Sequence, residues 1–174
     1  MSRASTAEKK ATDLLEEFGI REAPIPVEDL ARHLGAQLTY EAFDGDVSGM
    51  LYRADDRAII GVNSHHATTR QRFTVAHEIA HLRLHKGQPV FVDSFARVNL
   101  RNGKSTREEV EANAFAAELL MPEALVQHEV DRVLTRDRDI TPLQLVGKLA
   151  NKFQVSTEAM TYRLSNVGVL DPYL

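Results

Sequence analysis

Apolar residues recur at Ala7, Ala11, Leu14, Leu15 and Phe18, the three-and-four spacing of one helical face, and Gly19 follows as a stop. Beyond an extended link through Pro24 and Pro26, Val27 to Leu34 gives a second short helix that ends at Gly35. From Ala36 the period changes. Leu38, Tyr40, Val47, Met50-Leu51-Tyr52 and Ile59-Ile60-Gly61-Val62 are short β-prone runs, with turn residues at Asp44-Gly45-Asp46 and Asp55-Asp56 and a close at Asn63-Ser64. Three antiparallel strands are the economical arrangement. Thr68 or Thr69 then caps a helix running to about His85, with Phe73, Ala76, Ile79, Ala80 and Leu84 facing inward, and Lys86-Gly87-Gln88-Pro89 stops it. Pro89 to Ser105 reads as a loop with some strand character at Val90-Phe91-Val92. Thr106 caps a further helix through Leu120, Pro122 opens another to about Leu134, and Thr141-Pro142 opens a final helical pair beyond the charged link Arg136-Asp137-Arg138-Asp139. The expected fold is α+β: a small three-stranded antiparallel sheet packed on helices, with a helical C-terminal segment. Residues 1–135 form the core in this reading, and 136–174 pack on it within one domain.

Composition narrows the chemistry. The chain has 174 residues, 43% apolar and 26% charged, enough for a core without covalent staples. It has no cysteine, so neither disulfides nor sulfur ligands are available, and a metal site must be built from His, Asp and Glu. The first ten residues lack an apolar run behind them, so no signal peptide is expected, and no uninterrupted apolar stretch reaches the ~20 residues of a membrane span. These features point to the cytoplasm. A formal net charge of −4 argues against general affinity for nucleic acid, which rests on excess Lys and Arg.

The most informative run is His77-Glu78-Ile79-Ala80-His81. Residues four apart on a helix share one face, so both imidazoles can reach one zinc ion. Glu78 sits about 100° round the helix from His77, beside the metal, where a carboxylate can act as general base. This points to metal-assisted hydrolysis of a peptide. A catalytic zinc wants a third protein ligand. Glu109 is the best candidate, with Asn113 one turn on as an acceptor for the far nitrogen of a ligating His. Glu111 is the runner-up and Glu108 follows; spacing alone does not choose, and an acidic first helical turn favoured by the helix dipole is the bland alternative. His85, one turn past His81, reads as a C-terminal cap or packing residue. His65, His66, Tyr52 and Arg70 are candidates to stabilise an oxyanion, none singled out by spacing.

Phe73-Thr74-Val75-Ala76-His77-Glu78-Ile79-Ala80-His81, followed by Leu84-His85, resembles the first signature of the ImmA/IrrE family of metallopeptidases, and Glu109-Val110-Glu111-Ala112-Asn113-Ala114-Phe115-Ala116-Ala117-Glu118-Leu119-Leu120-Met121-Pro122 resembles its second. The likeness runs from about Glu16 to the end of the chain. It implies zinc bound by His77, His81 and Glu109, with Glu78 as the catalytic base. The wider thermolysin-like clan carries Glu-x-x-x-Asp in its second motif; matching Glu109 and Asn113 to that spacing favours Glu109 over Glu111, although Asn is a weaker acceptor than Asp. The resemblance further implies a protein substrate, often a helix-turn-helix repressor whose cleavage relieves repression.

Leu149 to Leu164 reads as helix, tight turn, helix, with Ser156 as N-cap and Gln154 where Gly is usual. Its second helix offers only Arg163 as a cation, against Glu158, which is a poor recognition helix. The rival reading is a non-cleaving, zinc-containing regulator that binds a repressor, or DNA through this pair. If a peptide is held by strand addition, the edge is expected within Val47–Val62.

Overall fold

The computed structural model describes residues 3–44, 46–54, 57–85, 90–94 and 107–170. Along the chain come α1 (Arg3–Glu17), α2 (Val27–His33), β1 (Ala36–Glu41), β2 (Val47–Ala54), β3 (Arg57–Asn63), α3 (Thr68–Leu84), β4 (Val90–Ser94), α4 (Arg107–Leu120), α5 (Glu123–Arg136), α6 (Pro142–Phe153) and α7 (Thr157–Asn166). The α+β class and the order of elements match the hydrophobic pattern. Gly19 and Gly35 take φ of 64° and 84° behind α1 and α2, the left-handed exit that a residue without a β-carbon adopts at no steric cost. Thr141 forms a reciprocal capping box with Gln144, and Ser156 accepts from the Ala159 amide. The expected threonine cap on α3 is not made: Ala67 is the N-cap, without a side-chain bond, and Thr68 is already helical. The Thr106 cap, the stop at 86–89 and the Asp55-Asp56 turn lie outside the described residues.

The sheet differs from expectation in strand number and direction. It has four strands in the order β1-β3-β2-β4. β1 runs parallel to β3, from Ala36 opposite Ala58 to Glu41 opposite Asn63, whereas β2 is antiparallel to both β3 and β4. β1 and β2 therefore do not form a hairpin. β3, which comes later in the chain, fills the position between them. Alternation along a strand reports which face each residue takes but not which strand lies beside it, so pairing was not readable from the pattern. One consequence is that β2 and β3 are both interior. The peptide-holding edge expected within Val47–Val62 is already paired on both sides, and the edges among the described residues belong to β1 and β4.

Leu51, Ile60 and Val62 from the sheet meet Val75, Ala76 and Ile79 of α3 and Phe115, Ala116 and Leu119 of α4, and the same apolar cluster continues into Phe153, Met160 and Leu164. Helix α4 packs on α3 and receives α1 as well. Two buried cations tie the outlying helices down. Arg72 donates to the Ile25 carbonyl at 2.7 Å and the Gln154 carbonyl at 3.3 Å, with Glu28 3.6 Å away. Arg163 pairs with Glu118, whose other oxygen accepts from the Glu123 amide at the start of α5. Gln154 holds φ at 54°, the left-handed turn expected where a glycine is commoner. Among the described residues no helix is long and apolar enough to cross a membrane.

Candidate metal centre

Strand β2 lies alongside α3 and braces it over most of its length. Arg70 Nη2 donates to Ser48 Oγ at 2.8 Å near the start of the helix. At its far end Arg53 donates to the His85 carbonyl at 2.7 Å and also to the His81 carbonyl. A cation on the last carbonyls suits both their lone pairs and the negative end of the helix dipole. Between these clamps Gly49 sits against Thr74 and Glu78, and a β-carbon at that position would stand 3.3 Å from Glu78 Oε1.

On the opposite side α3 faces α4, and here the two motifs meet. His77 Nε2 and His81 Nε2 are 3.0 Å apart. Glu109 brings Oε2 to 3.2 Å from the first and Oε1 to 3.6 Å from the second. Donors held ~2.0–2.1 Å from a tetrahedral zinc stand roughly 3.3 Å from one another. The observed spacings bracket that value, so these three residues fit a single cation of this size. His77 and His81 are 1% exposed, whereas the Glu109 side chain is 26% exposed, so the cluster reaches solvent on the Glu109 side.

Protonation suits the same purpose. Burial, helped by the neighbouring His77, lowers the His81 pKa to about 3, which keeps the ring in the neutral form that ligates. Burial works to raise Glu109, but the His77 hydrogen bond and the nearby histidines outweigh it and leave the carboxyl below its ordinary value. His77 Nδ1 lies 3.0 Å from Asn113 Oδ1, an oxygen that can only accept, so the ring hydrogen sits on Nδ1 and the Nε2 lone pair points into the cluster.

The structure thus brings His77, His81 and Glu109 together and buries Glu78 fully on the next face of α3. It turns Glu111 elsewhere: Oε1 takes Arg107 Nε at 2.8 Å and Oε2 lies 3.2 Å from His85 Nε2, and these partners lower its pKa. His85 does occupy the C-cap position, but its ring does not serve the helix carbonyls, which Arg53 takes; His85 Nδ1 lies 2.9 Å from His81 Nδ1 instead. Arg70 is engaged by Ser48, and His65 and Tyr52 are exposed. The sequence reading missed Gly49, Arg53 and the His85–Glu111 contact. A glycine inside a β-prone run was the available sign of a close backbone approach, and the four-residue step from His81 to His85 was the sign of a neighbouring pair. Phe73, whose ring is 6.2 Å from that of His77, lines a cavity of about 270 Å³ together with Leu120, Met121 and Val155, with Arg70 and Glu158 as its charged groups; the cluster residues themselves do not line it.

A mixed sheet braced against a His-Glu-x-x-His helix, with a carboxylate from a second helix completing the donor set, defines the class of a metallohydrolase-type centre. The comparisons carry this to a family. The sequence profile of the IrrE N-terminal-like domain matches residues 31–165, and the chain belongs to the ImmA/IrrE family of metallopeptidases. It is similar to Metallopeptidase ImmA of Bacillus subtilis (strain 168), with 25% identity over 126 residues that make up 71% of this chain and 66% of the relative. The chain therefore spans just under two thirds of that relative's length.

Proposed function

We propose that this chain is a zinc-dependent endopeptidase in which His77, His81 and Glu109 hold the metal and Glu78 is the catalytic base. The observation that carries this reading is the convergence of two imidazoles and one carboxylate, with contacts of 3.0, 3.2 and 3.6 Å among them, beside a wholly buried glutamate. A zinc ion held there would supply a Lewis acid that polarises the scissile carbonyl and makes the attacking water more acidic. The protein does the rest. Glu78 takes a proton from that water as it attacks and delivers it to the departing amine nitrogen, so the carboxylate is restored at the end of the cycle. Asn113 keeps the His77 ring in the tautomer that ligates. The cavity lined by Phe73 suits an apolar side chain of the cleaved segment.

The substrate we propose is a helix-turn-helix repressor whose cleavage relieves repression in the cytoplasm; the ImmA/IrrE resemblance supports it. The DNA-binding rival draws no support from α7, because Arg163, the one cation of that helix, is buried against Glu118. The deciding experiment is Glu78→Gln in the full chain, with zinc content, melting temperature and repressor cleavage measured together. We expect an unchanged fold and metal content with turnover reduced by at least ~10²-fold, the scale of a general base. Undiminished cleavage by a zinc-loaded Glu78→Gln chain would sink the assignment. Derepression that survives without cleavage would favour the non-catalytic regulator.

A further inference from the structure

We propose that His85 is a positioning residue for the metal centre, passing the charge of Glu111 to the ligand His81 through a histidine–histidine hydrogen bond. The inference rests on the metal site proposed above. It stands on a chain of contacts outside the cluster. His81 Nδ1 lies 2.9 Å from His85 Nδ1, His85 Nε2 lies 3.2 Å from Glu111 Oε2, and Glu111 Oε1 accepts from Arg107 Nε at 2.8 Å. The rings of His81 and His85 are tilted, with centroids 5.0 Å apart.

Hydrogen-bond accounting fixes the direction along this chain. For His81 to offer its Nε2 lone pair to a metal, its one ring hydrogen must sit on Nδ1. The nearest acceptor is His85 Nδ1, which must then be bare. His85 therefore carries its own hydrogen on Nε2, and that hydrogen points at the carboxylate of Glu111. Each step permits only the next, so Glu111 selects the His85 tautomer and His85 selects that of His81. His77 is oriented by Asn113, a neutral amide. The two histidine ligands thus differ: one is backed by an amide, the other by an imidazole ending on a carboxylate. An outer acceptor of this kind holds the ring and makes the ligating nitrogen a stronger donor. Arg53 donates to the backbone carbonyls of His81 and His85.

The test measures Zn²⁺ affinity of the full chain by competition with a chromophoric chelator, alongside the melting temperature without metal. His85→Phe keeps a ring but cannot accept, and it should bind Zn²⁺ about 10–100-fold more weakly, the usual effect of removing an outer-shell partner. His85→Asn places an amide oxygen near the position of Nδ1 and should recover most of the lost affinity. Glu111→Gln keeps an acceptor but removes the charge, and should fall between them; it also serves if His85→Phe does not fold. In the zinc-loaded wild type, ¹⁵N chemical shifts should place the His81 hydrogen on Nδ1 and the His85 hydrogen on Nε2. Wild-type affinity in both His85→Phe and Glu111→Gln, or the opposite His85 tautomer, overturns the proposal. So does a loss in His85→Phe that Asn does not restore and that follows a matching fall in metal-free melting temperature, since that is packing. If the wild-type chain binds no Zn²⁺, the site itself fails and this inference fails with it.

Discussion

Gly49 marks a close approach of β2 to α3, and adding one methyl group there tests how the face that carries Glu78 is built. A β-carbon at this position would stand 2.3 Å from Thr74 Cγ2 and 3.0 Å from the Gly61 carbonyl oxygen. Carbon atoms in contact ordinarily keep ~3.5–4.0 Å, so the first overlap must be relieved by movement. Neither neighbour moves readily. Thr74 is buried and β-branched within a helix, where χ1 is restricted, and Gly61 is paired in the sheet on both sides. Gly49→Ala should therefore lie at the upper end of the overpacking range, about 3 kcal/mol. For a chain of this size that is a fall in melting temperature of roughly 6–12 °C. Thr74→Ser removes the offending methyl and by itself should cost about 1 kcal/mol, one buried methyl plus a small cavity. In the double variant the alanine methyl occupies the vacated space while the carbonyl contact persists, so the total should be only about 2 kcal/mol rather than the sum of about 4, well outside the ~0.5 kcal/mol scatter of independent sites. Urea and thermal unfolding of the metal-free protein read this directly, whatever binds at the centre. A Gly49→Ala chain that melts within about 2 °C of wild type, or a strictly additive double variant, would show that strand and helix are not packed as described.

Three further outcomes follow from the buried polar groups. Arg163→Met leaves Glu118 buried without its cation and should destabilise by about 3–5 kcal/mol, whereas Arg163→Met with Glu118→Gln keeps an acceptor for the Glu123 amide and should recover most of that loss; equal urea midpoints for the single and double variants would contradict this. Without metal, His81 stays neutral in the fold down to about pH 3, whereas an unfolded histidine protonates near 6.5. The unfolded state then binds more protons below that pH, so stability falls on acidification with a slope of up to about 1.4 kcal/mol per unit. Between pH 6.5 and 5 the wild type in chelator should lose about 2 kcal/mol more than His81→Leu, and parallel losses would refute the assignment. Asn113→Asp supplies a charged acceptor for His77 and should tighten zinc, whereas Asn113→Leu should weaken it about 10–100-fold, both read by chelator competition; equal affinities would show that the 3.0 Å contact plays no part.

How far the sequence carried this picture depends on whether the signal was local. His77, Glu78 and His81 are visible because helical spacing alone puts them on neighbouring faces, and α1, α2, α6 and α7 are visible because their glycines, caps and apolar stripes are local too. The sheet is only half legible. Residues 36–63 announce strands, but the parallel pairing of β1 with β3 depends on where a third strand inserts, and no residue in 42–46 records that. Glu109 is an intermediate case. Spacing left it level with Glu111, the motif of a resembling family favoured it, and the fold turns it towards the histidines while Glu111 faces Arg107 and His85. Gly49 and Arg53 were passed over for another reason: their roles lie in what stands across from them, 2.3 Å away in one case and at the end of another element in the other.

Helix α4 concentrates the dependence of the centre on the rest of the molecule. It brings Glu109 to the cluster, Asn113 to His77 and Glu111 to His85, all by side chains whose reach is fixed by the helix's rotation and height against α3. Phe115, Ala116 and Leu119 set that position from within the core, and Glu118 sets it from the C-terminal side through Arg163 and from α1 through Thr12. A one-residue slip of α4 would rotate Glu109, Glu111 and Asn113 by about 100° and remove their contacts to α3 and its C-cap His85 at once. The buried Glu118–Arg163 pair is costly to desolvate and adds little net stability in general, but it can be made in only one register. On this argument the C-terminal pair of helices earns its place by holding α4 at the height where two imidazoles and a carboxylate converge.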